Sequence, residues 1–201
     1  MKLPLFPLHA VLFPEATMPL HVFEPRFREM VGRCLEHDEP FGVCLILEGE
    51  EVGGSATPHR IGTEAAVIAC QRYRDGRYDV VVQGRRRFEV LGLDRSRRFL
   101  QAQVRFLNEP MGNLDPGLAE AVARMFERFL ESAELAGQAI ADETWKAIDP
   151  EVLPYRIAAV LPIDDDAKQA LLEMPDAAAR LRRIAEILMT VTRVESKAGA
   201  A

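Results

Sequence analysis

The segment Gly49-Glu50-Glu51-Val52-Gly53-Gly54-Ser55 has the glycine density of a loop that cradles phosphate. A nucleotide-binding loop of that kind needs a lysine after its second glycine to reach the β- and γ-phosphates. Here Ser55 takes that place, and Glu50 and Glu51 would repel the ligand. Peptide hydrolysis by a Ser-Lys pair needs a lysine placed to activate the hydroxyl. The serines are Ser55, Ser96, Ser132 and Ser196, and the lysines are Lys2, Lys146, Lys168 and Lys197. Ser196 and Lys197 adjoin, but in a tail (196–201) expected to fray. His9, His21, His37 and His59 show no His-x-x-x-His spacing and no cysteine pair beside them, so no local zinc ligand set is present. These residues predict no catalytic group, no cofactor and no metal site, and hence neither ATPase nor peptidase activity.

Other side chains are spaced for binding. In Phe23-Glu24-Pro25-Arg26-Phe27 aromatic rings alternate with a charge pair, as in grooves that take an extended peptide. The same residue types serve a helix entry, with Phe23 and Phe27 buried, Glu24 capping and Arg26 pairing with a carboxylate, and the simpler architectural role takes precedence. Arg85-Arg86-Arg87, with Arg95, Arg97 and Arg98 nearby, offers a basic face for RNA phosphate. On a strand, however, Arg85 and Arg87 point one way and Arg86 the other. Glu89 and Asp94 also lie close enough to neutralise the group, so a solvated, salt-bridged sheet face is the first expectation. Asp164-Asp165-Asp166 precedes an apolar-periodic segment and reads as a helix N-terminus rather than a metal cluster. Trp145 has no aromatic neighbours in sequence and is assigned to packing.

Composition bounds these readings. With 201 residues, 48% hydrophobic and 28% charged, the chain can bury a core without metal or disulfide staples. Cys34, Cys44 and Cys70 are odd in number and widely spaced, which suits a reducing compartment. The N-terminal apolar stretch is broken by Pro4, Pro7 and Pro14, which argues against a signal peptide, and no run is long enough to span a membrane. A cytoplasmic location follows as the expectation. Residues 1–110 carry 15 Lys+Arg against 15 Asp+Glu, whereas 111–201 carry 10 against 16, so the net charge of −6 belongs to the second half. Nucleic-acid binding would have to rest on local arginine clusters.

The elements that position these residues divide near 108–114. Before that connector, Leu100, Ala102, Val104 and Phe106 alternate with polar residues, a half-buried strand. Asp75-Gly76 between the apolar runs 66–74 and 77–83 predicts a hairpin with a type I′ turn. Phe88, Val90 and Leu93 predict a further strand, with a bulge or bend at Gly84 and Gly92. Pro25 opens a helix whose apolar face is Phe27, Met30, Val31, Cys34 and Leu35. After Pro110 the period changes to that of helices. One carries Leu118, Val122, Met125 and Phe129, is capped by Asp115, opened by Pro116 and ended at Gly137. A short helix follows Asp142, another runs from Asp149-Pro150 to Leu161 with Pro154 in its first turn, and a third is capped by Asp164 and runs through Met174. The last, from Asp176 to Val194, aligns Leu181, Ile184, Leu188, Val191 and Val194.

The order Leu3-Pro4-Leu5-Phe6-Pro7-Leu8, Val11-Leu12-Phe13-Pro14 and Met18-Pro19-Leu20-His21-Val22-Phe23-Glu24-Pro25-Arg26-Phe27 resembles the start of the Lon protease N-terminal domain family. Pro40-Phe41-Gly42-Val43, Val52-Gly53, Ile61-Gly62-Thr63, Asp75-Gly76-Arg77-Tyr78 and Gly84-Arg85-Arg86-Arg87-Phe88-Glu89-Val90 follow in the family's order. Where the family has a glycine after the Phe-Pro turn, this chain has Glu15. The resemblance implies an α+β fold: a PUA-like antiparallel β-barrel with one early helix over 1–110, then a C-terminal α-helical bundle over 111–201. It implies a free-standing, non-enzymatic relative of the Lon substrate-recognition domain, without the ATPase and protease domains. Such a module would bind unfolded or exposed apolar polypeptide in protein quality control, for a separate protease or chaperone. The binding residues would be His21, Phe23, Glu24, Arg26, Phe27, Arg72 and Tyr73, on a shallow apolar surface between barrel and helices with sheet-edge hydrogen bonds. The alternative is RNA binding through the PUA-like barrel by Arg85, Arg86 and Arg87.

Overall fold

Strands β1 (Lys2–Leu8) and β3 (Phe41–Glu48) are buried at consecutive rather than alternate positions, the pattern of strands covered on both faces. The computed structural model, which describes residues 1–53, 56–132 and 145–198, shows why. β1 and β3 pair in parallel, from Leu5 opposite Gly42 to Leu8 opposite Leu45. Parallel neighbours need a crossover, and here it contains β2 (Thr17–Val22) and helix α1 (Pro25–His37). β5 (Ile61–Arg72), β6 (Tyr78–Asp94) and β7 (Gln101–Phe106) complete the wall, in the closed order β1-β7-β6-β5-β3 and back to β1. The barrel is therefore antiparallel at every seam but the β1–β3 one. The two-residue β4 (Thr57–Pro58) extends β3, and β2 adds to the far edge of β6.

Alternate side chains of this wall make two cores. Leu3, Leu5, Cys44, Phe88, Val90, Ala102 and Val104 cluster inside the barrel. Phe6, Leu8, Phe41 and Val43 face outward and are covered by Phe27, Met30, Val31 and Cys34 of α1. Phe88 is wholly buried, and a Cβ on Gly42 or Gly62 would come within 2.6 or 2.8 Å of its ring. Both positions must therefore lack a side chain for the barrel to close around Phe88.

The hairpin between β5 and β6 differs from expectation. Gly76 N donates to Tyr73 O (3.0 Å) and Tyr73 N to Arg77 O (2.9 Å), with Gly76 at φ 83° and Asp75 not in the left-handed region. That is a type I turn ending in a left-handed glycine bulge, not type I′, which needs positive φ at both central residues. Asp75 favours it by accepting from Arg77 N (3.1 Å). Strand register slips beside Gly84 and Gly92, as expected. Glu15, where the family glycine would stand, has φ 64°, and its N–H donates to Gly84 O (3.0 Å).

The chain divides into two compact units, Met1–Asn108 with Pro162–Glu173, and Glu109–Leu161 with Met174–Ala201. Helix α4 (Asp165–Glu173), assigned from sequence to the helical half, thus counts with the barrel unit. Asp164 caps it through Ala167 N (2.7 Å), and buried Gln169 donates to Ile61 O (3.0 Å). In the other unit, α2 runs Leu118–Ser132 and starts later than expected. Asp115 accepts from Arg182 rather than capping it (3.1 Å). Phe126, not Met125, completes its buried stripe and meets Trp145 edge-on at 4.7 Å. α3 (Leu153–Val160) has Pro154 in its first turn, and α5 runs Ala177–Ala198, past the Val194 at which the sequence ends it. Gly137 and Asp142, expected to end one helix and begin another, lie outside the described residues.

Two outcomes follow. Glu15→Gly removes a left-handed non-glycine residue and should stabilise the chain by about 0.5–1 kcal/mol, part of the gain being lost to the freer unfolded glycine; denaturant unfolding checks it. Burial pushes the Cys34 thiol up to about 11 and that of Cys44 to about 12, while Cys70 is exposed. A thiol reagent should therefore label Cys70 alone in the folded chain and all three cysteines in denaturant. Because these folded values lie above the 9.0 of an ordinary thiol, their stabilising contribution is complete below about pH 9 and is lost as pH rises toward 12.

Candidate functional site

Beyond the barrel wall, β2, the first half of β6 and the second half of β5 form a three-stranded extension. Alternation divides its side chains between two faces. Met18, Leu20, Val22, Tyr78, Val80 and Val82 pack on the α1 side. Pro19 and His21 stand opposite Val81 and Asp79, which stand opposite Ala69 and Gln71. These six line a shallow depression of about 590 Å³ on the other side. At its margins Phe23 and Ile68 are 46% and 53% exposed. Ile68 is turned out by the bulge between Val67 and Ala69, and the Phe23 ring stacks on His21 at 5.9 Å between centroids.

A polar anchor sits within this apolar face. Asp79 accepts from the Tyr73 hydroxyl (2.5 Å) and lies 2.5 Å from His21 Nδ1. The Tyr73 hydroxyl first, then His21, hold the Asp79 carboxyl below the usual carboxylate range, and the same bond raises the Tyr73 phenol. The three side chains thus brace β2, β6 and the hairpin turn. Among the described residues, the outer edges of β2 (Thr17–Val22) and of β5 after Ala65 have no strand partner. An apolar face with two open edges can take an extended chain by backbone pairing and side-chain burial. No group of three His, Cys, Asp or Glu able to hold a metal ion occurs among the described residues.

The seven expected binding residues do not form one surface. His21, Phe23 and Tyr73 share the face just described. Phe27 is only 4% exposed and stacks on Phe6 at 4.1 Å, so its ring belongs to the core. Glu24 stands at the N-cap of α1, but its carboxylate makes no capping bond; it accepts from Gly53 N (3.2 Å) and Arg26 Nε (3.2 Å), and Arg26 donates to Glu51 O (2.7 Å). This pair clamps the 49–53 loop. Arg72 lies over the Tyr78 ring at 5.6 Å, on the α1 side of the extension. Sequence reasoning missed Pro19, Ile68, Ala69, Asp79 and Val81. Asp79 becomes recognisable once the strand register sets it against His21.

The arginine triplet is dispersed. Arg87 is buried at 1% exposure and donates to Leu172 O (2.6 Å). Arg86 pairs with the buried Glu64 (3.1 Å) and covers the Phe106 ring at 3.8 Å. Arg85 alone of the three projects as an exposed residue outside such contacts. The three therefore do not share one basic face, as the RNA alternative would need: Arg87 lies inside, and Arg86 is ion-paired on the sheet as first expected.

A mostly antiparallel barrel closed by one parallel seam, with its crossover helix and a helical unit after it, defines an α+β fold. The chain belongs to the ATP-dependent protease La (LON) substrate-binding domain family, whose model matches residues 2–190. A crystal structure of a Lon N-terminal domain protein from Xanthomonas campestris is similar over 92% of this chain and 98% of its own, with 30% identity and a TM-score of 0.68. The N-terminal domain of a Mycobacterium avium complex Lon protease shares the fold at 17% identity and a TM-score of 0.74, over 94% of this chain and 98% of that one. Lon protease 2 of Myxococcus xanthus is 28% identical over 92% of this chain but 23% of its own length. The chain thus spans about a quarter of the length of the curated relatives it matches. No helix among the described residues is long and apolar enough to cross a membrane.

Arg87→Ala should cost about 2–3 kcal/mol, because it removes a buried charged donor and leaves Leu172 O unpaired; the expected readout is a lowered unfolding midpoint.

Proposed function

We propose that the chain recognises unfolded or exposed apolar polypeptide segments, and that it does so on the outer face of the β2-β6-β5 extension. Family membership supports substrate recognition in general. The observation that carries the location is the exposure of Phe23 and Ile68 beside a shallow apolar depression flanked by two open strand edges. An extended client would add to an edge by backbone hydrogen bonds and seat alternate side chains against Pro19, Ala69 and Val81. The Asp79 anchor keeps His21 and Tyr73 in place, so little side-chain ordering is left to the moment of binding. Pro19 has no N–H to donate, which favours the β5 edge for pairing. Delivery of the bound segment to a protease or chaperone in the cytoplasm, in the service of protein quality control, fits this reading, as does an absence of chemistry in the chain itself.

Titration of the chain with a reduced, permanently unfolded polypeptide tests the proposal. Binding should weaken about tenfold or more in Ile68→Asp and in Phe23→Ala, since each removes about 1.5–3 kcal/mol of apolar burial. Arg85→Ala, on the exposed residue of the former triplet, should leave it unchanged. Retention of full affinity in both face variants, with native circular dichroism, sinks the location.

A further inference from the structure

On the α1 side of the same unit, three arginines meet, and none of them closes an ion pair with a described residue. Arg28 from the first turns of α1, Arg72 from the end of β5 and Arg98 from the β6–β7 connection line a depression of about 370 Å³, together with Gly76 and Tyr78. Glu29, the one acid lining the depression, forms no ion pair with them; Asp75 beside it is bonded to Arg77 (2.7 Å) and feels Arg28 only through space. Arg28 Nε is shielded from solvent and has no hydrogen-bond acceptor, an arrangement that calls for an explanation in a folded chain.

The arginines also continue past this depression. Arg98 is shared with a neighbouring one of about 270 Å³, lined by Arg26, Arg95 and Arg97 as well. There Arg26 is held by Glu24, and Arg95 reaches Ala56 O at 3.4 Å. Arg95 and Arg97 close no ion pair with a described residue either, so positive charge extends across both depressions, and Arg28, Arg72 and Arg98 are the arginines of the first. Pro25, the first residue of α1, borders the same depression, so the positive end of the helix dipole adds to the field there.

We propose that Arg28, Arg72 and Arg98 form a binding site for a small, multiply charged phosphate-type oxyanion. A planar guanidinium offers paired N–H donors that match two oxygens of such an anion, and three of them on one concavity match its charge. A single carboxylate carries too little charge to offset three arginines. The site is independent of the proposed polypeptide surface, which lies on the other face of the extension.

Isothermal titration of the full chain with inorganic pyrophosphate, and phosphorus NMR of the anion with added protein, provide the test. Binding should weaken steeply with added salt. Arg72→Ala and Arg98→Ala, both at exposed positions, should each reduce affinity about tenfold or more, the loss of a charge-assisted hydrogen bond. Arg85→Ala should not change it. If an alanine variant fails to fold, Arg72→Lys serves in its place, keeping the charge but losing the paired geometry, with a smaller loss expected. Absence of binding at about 10 mM pyrophosphate, roughly tenfold above a millimolar Kd, overturns the proposal. So does unchanged affinity in the folded Arg72 and Arg98 variants. Tighter binding of a short RNA or a glutamate-rich peptide than of pyrophosphate, lost with the same arginines, overturns the assignment to a small anion.

Discussion

The ring of Phe88 occupies the centre of the barrel, and the space it takes dictates the strands around it. Gly42 and Gly62 have no side chain because the ring fills the place where one would go, and the Cys44 sulfur stands 2.5 Å from a Cβ built on Gly62. Interiors packed to crystal-like density have no slack with which to absorb an added methyl. Closing the wall around one large residue brings β1 beside β3, and because the two run parallel the chain must leave the barrel and return. The crossover helix then has an obvious resting place, on the apolar outer side of the two strands it joins. The buried ring, the glycines, the parallel seam and the helix are one constraint seen at four places.

That constraint also decides what is left uncovered. α1 shields the outer side of β1 and β3 and the inner side of the β2-β6-β5 extension, and its length of 13 residues is used up in doing so. The opposite side of the extension has no element over it among the residues of its own unit, which is why Phe23 and Ile68 face solvent. A rigid wall that presents an uncovered face is the usual division of labour between scaffold and binding surface. The bonds from Tyr73 and His21 to Asp79 tie the strands of that face together.

Much of this architecture was readable from residue order, and the reasons are local. Pro25 at a first helical position, the spacing of Phe27, Met30, Val31 and Cys34, and the alternation along Gln101–Phe106 each report their own neighbourhood, and each element formed where expected. The motif residues proved informative about fold because they pack: Phe6 on Phe27, Gly42 and Gly62 on Phe88. For the same reason some of them lie inside, as Phe27 and Arg87 do, while His21 and Phe23 of the same motifs stay on the outer face. What could not be read was anything that depends on pairing between distant strands. His21 and Asp79 are 58 residues apart, and only the register of β2 on β6 makes them neighbours. The turn at Asp75-Gly76 was placed correctly but mistyped, because Asp75 takes its conformation from a bond to Arg77 N that the dipeptide alone does not disclose.

The path of the chain through its two compact units has a consequence for modularity. The backbone leaves the barrel unit after Asn108, re-enters it at Pro162 and leaves again after Glu173. The returning segment is not decoration: Leu172 O accepts from Arg87, and Gln169 donates to the Ile61 carbonyl of β5. A cut at the connector near residue 108 would therefore sever the barrel from a helix that satisfies its own buried donors and acceptors. Recombination, natural or in the laboratory, cannot transplant this barrel as a single contiguous cassette. Whatever exchanges it with another protein must carry both halves of the chain together.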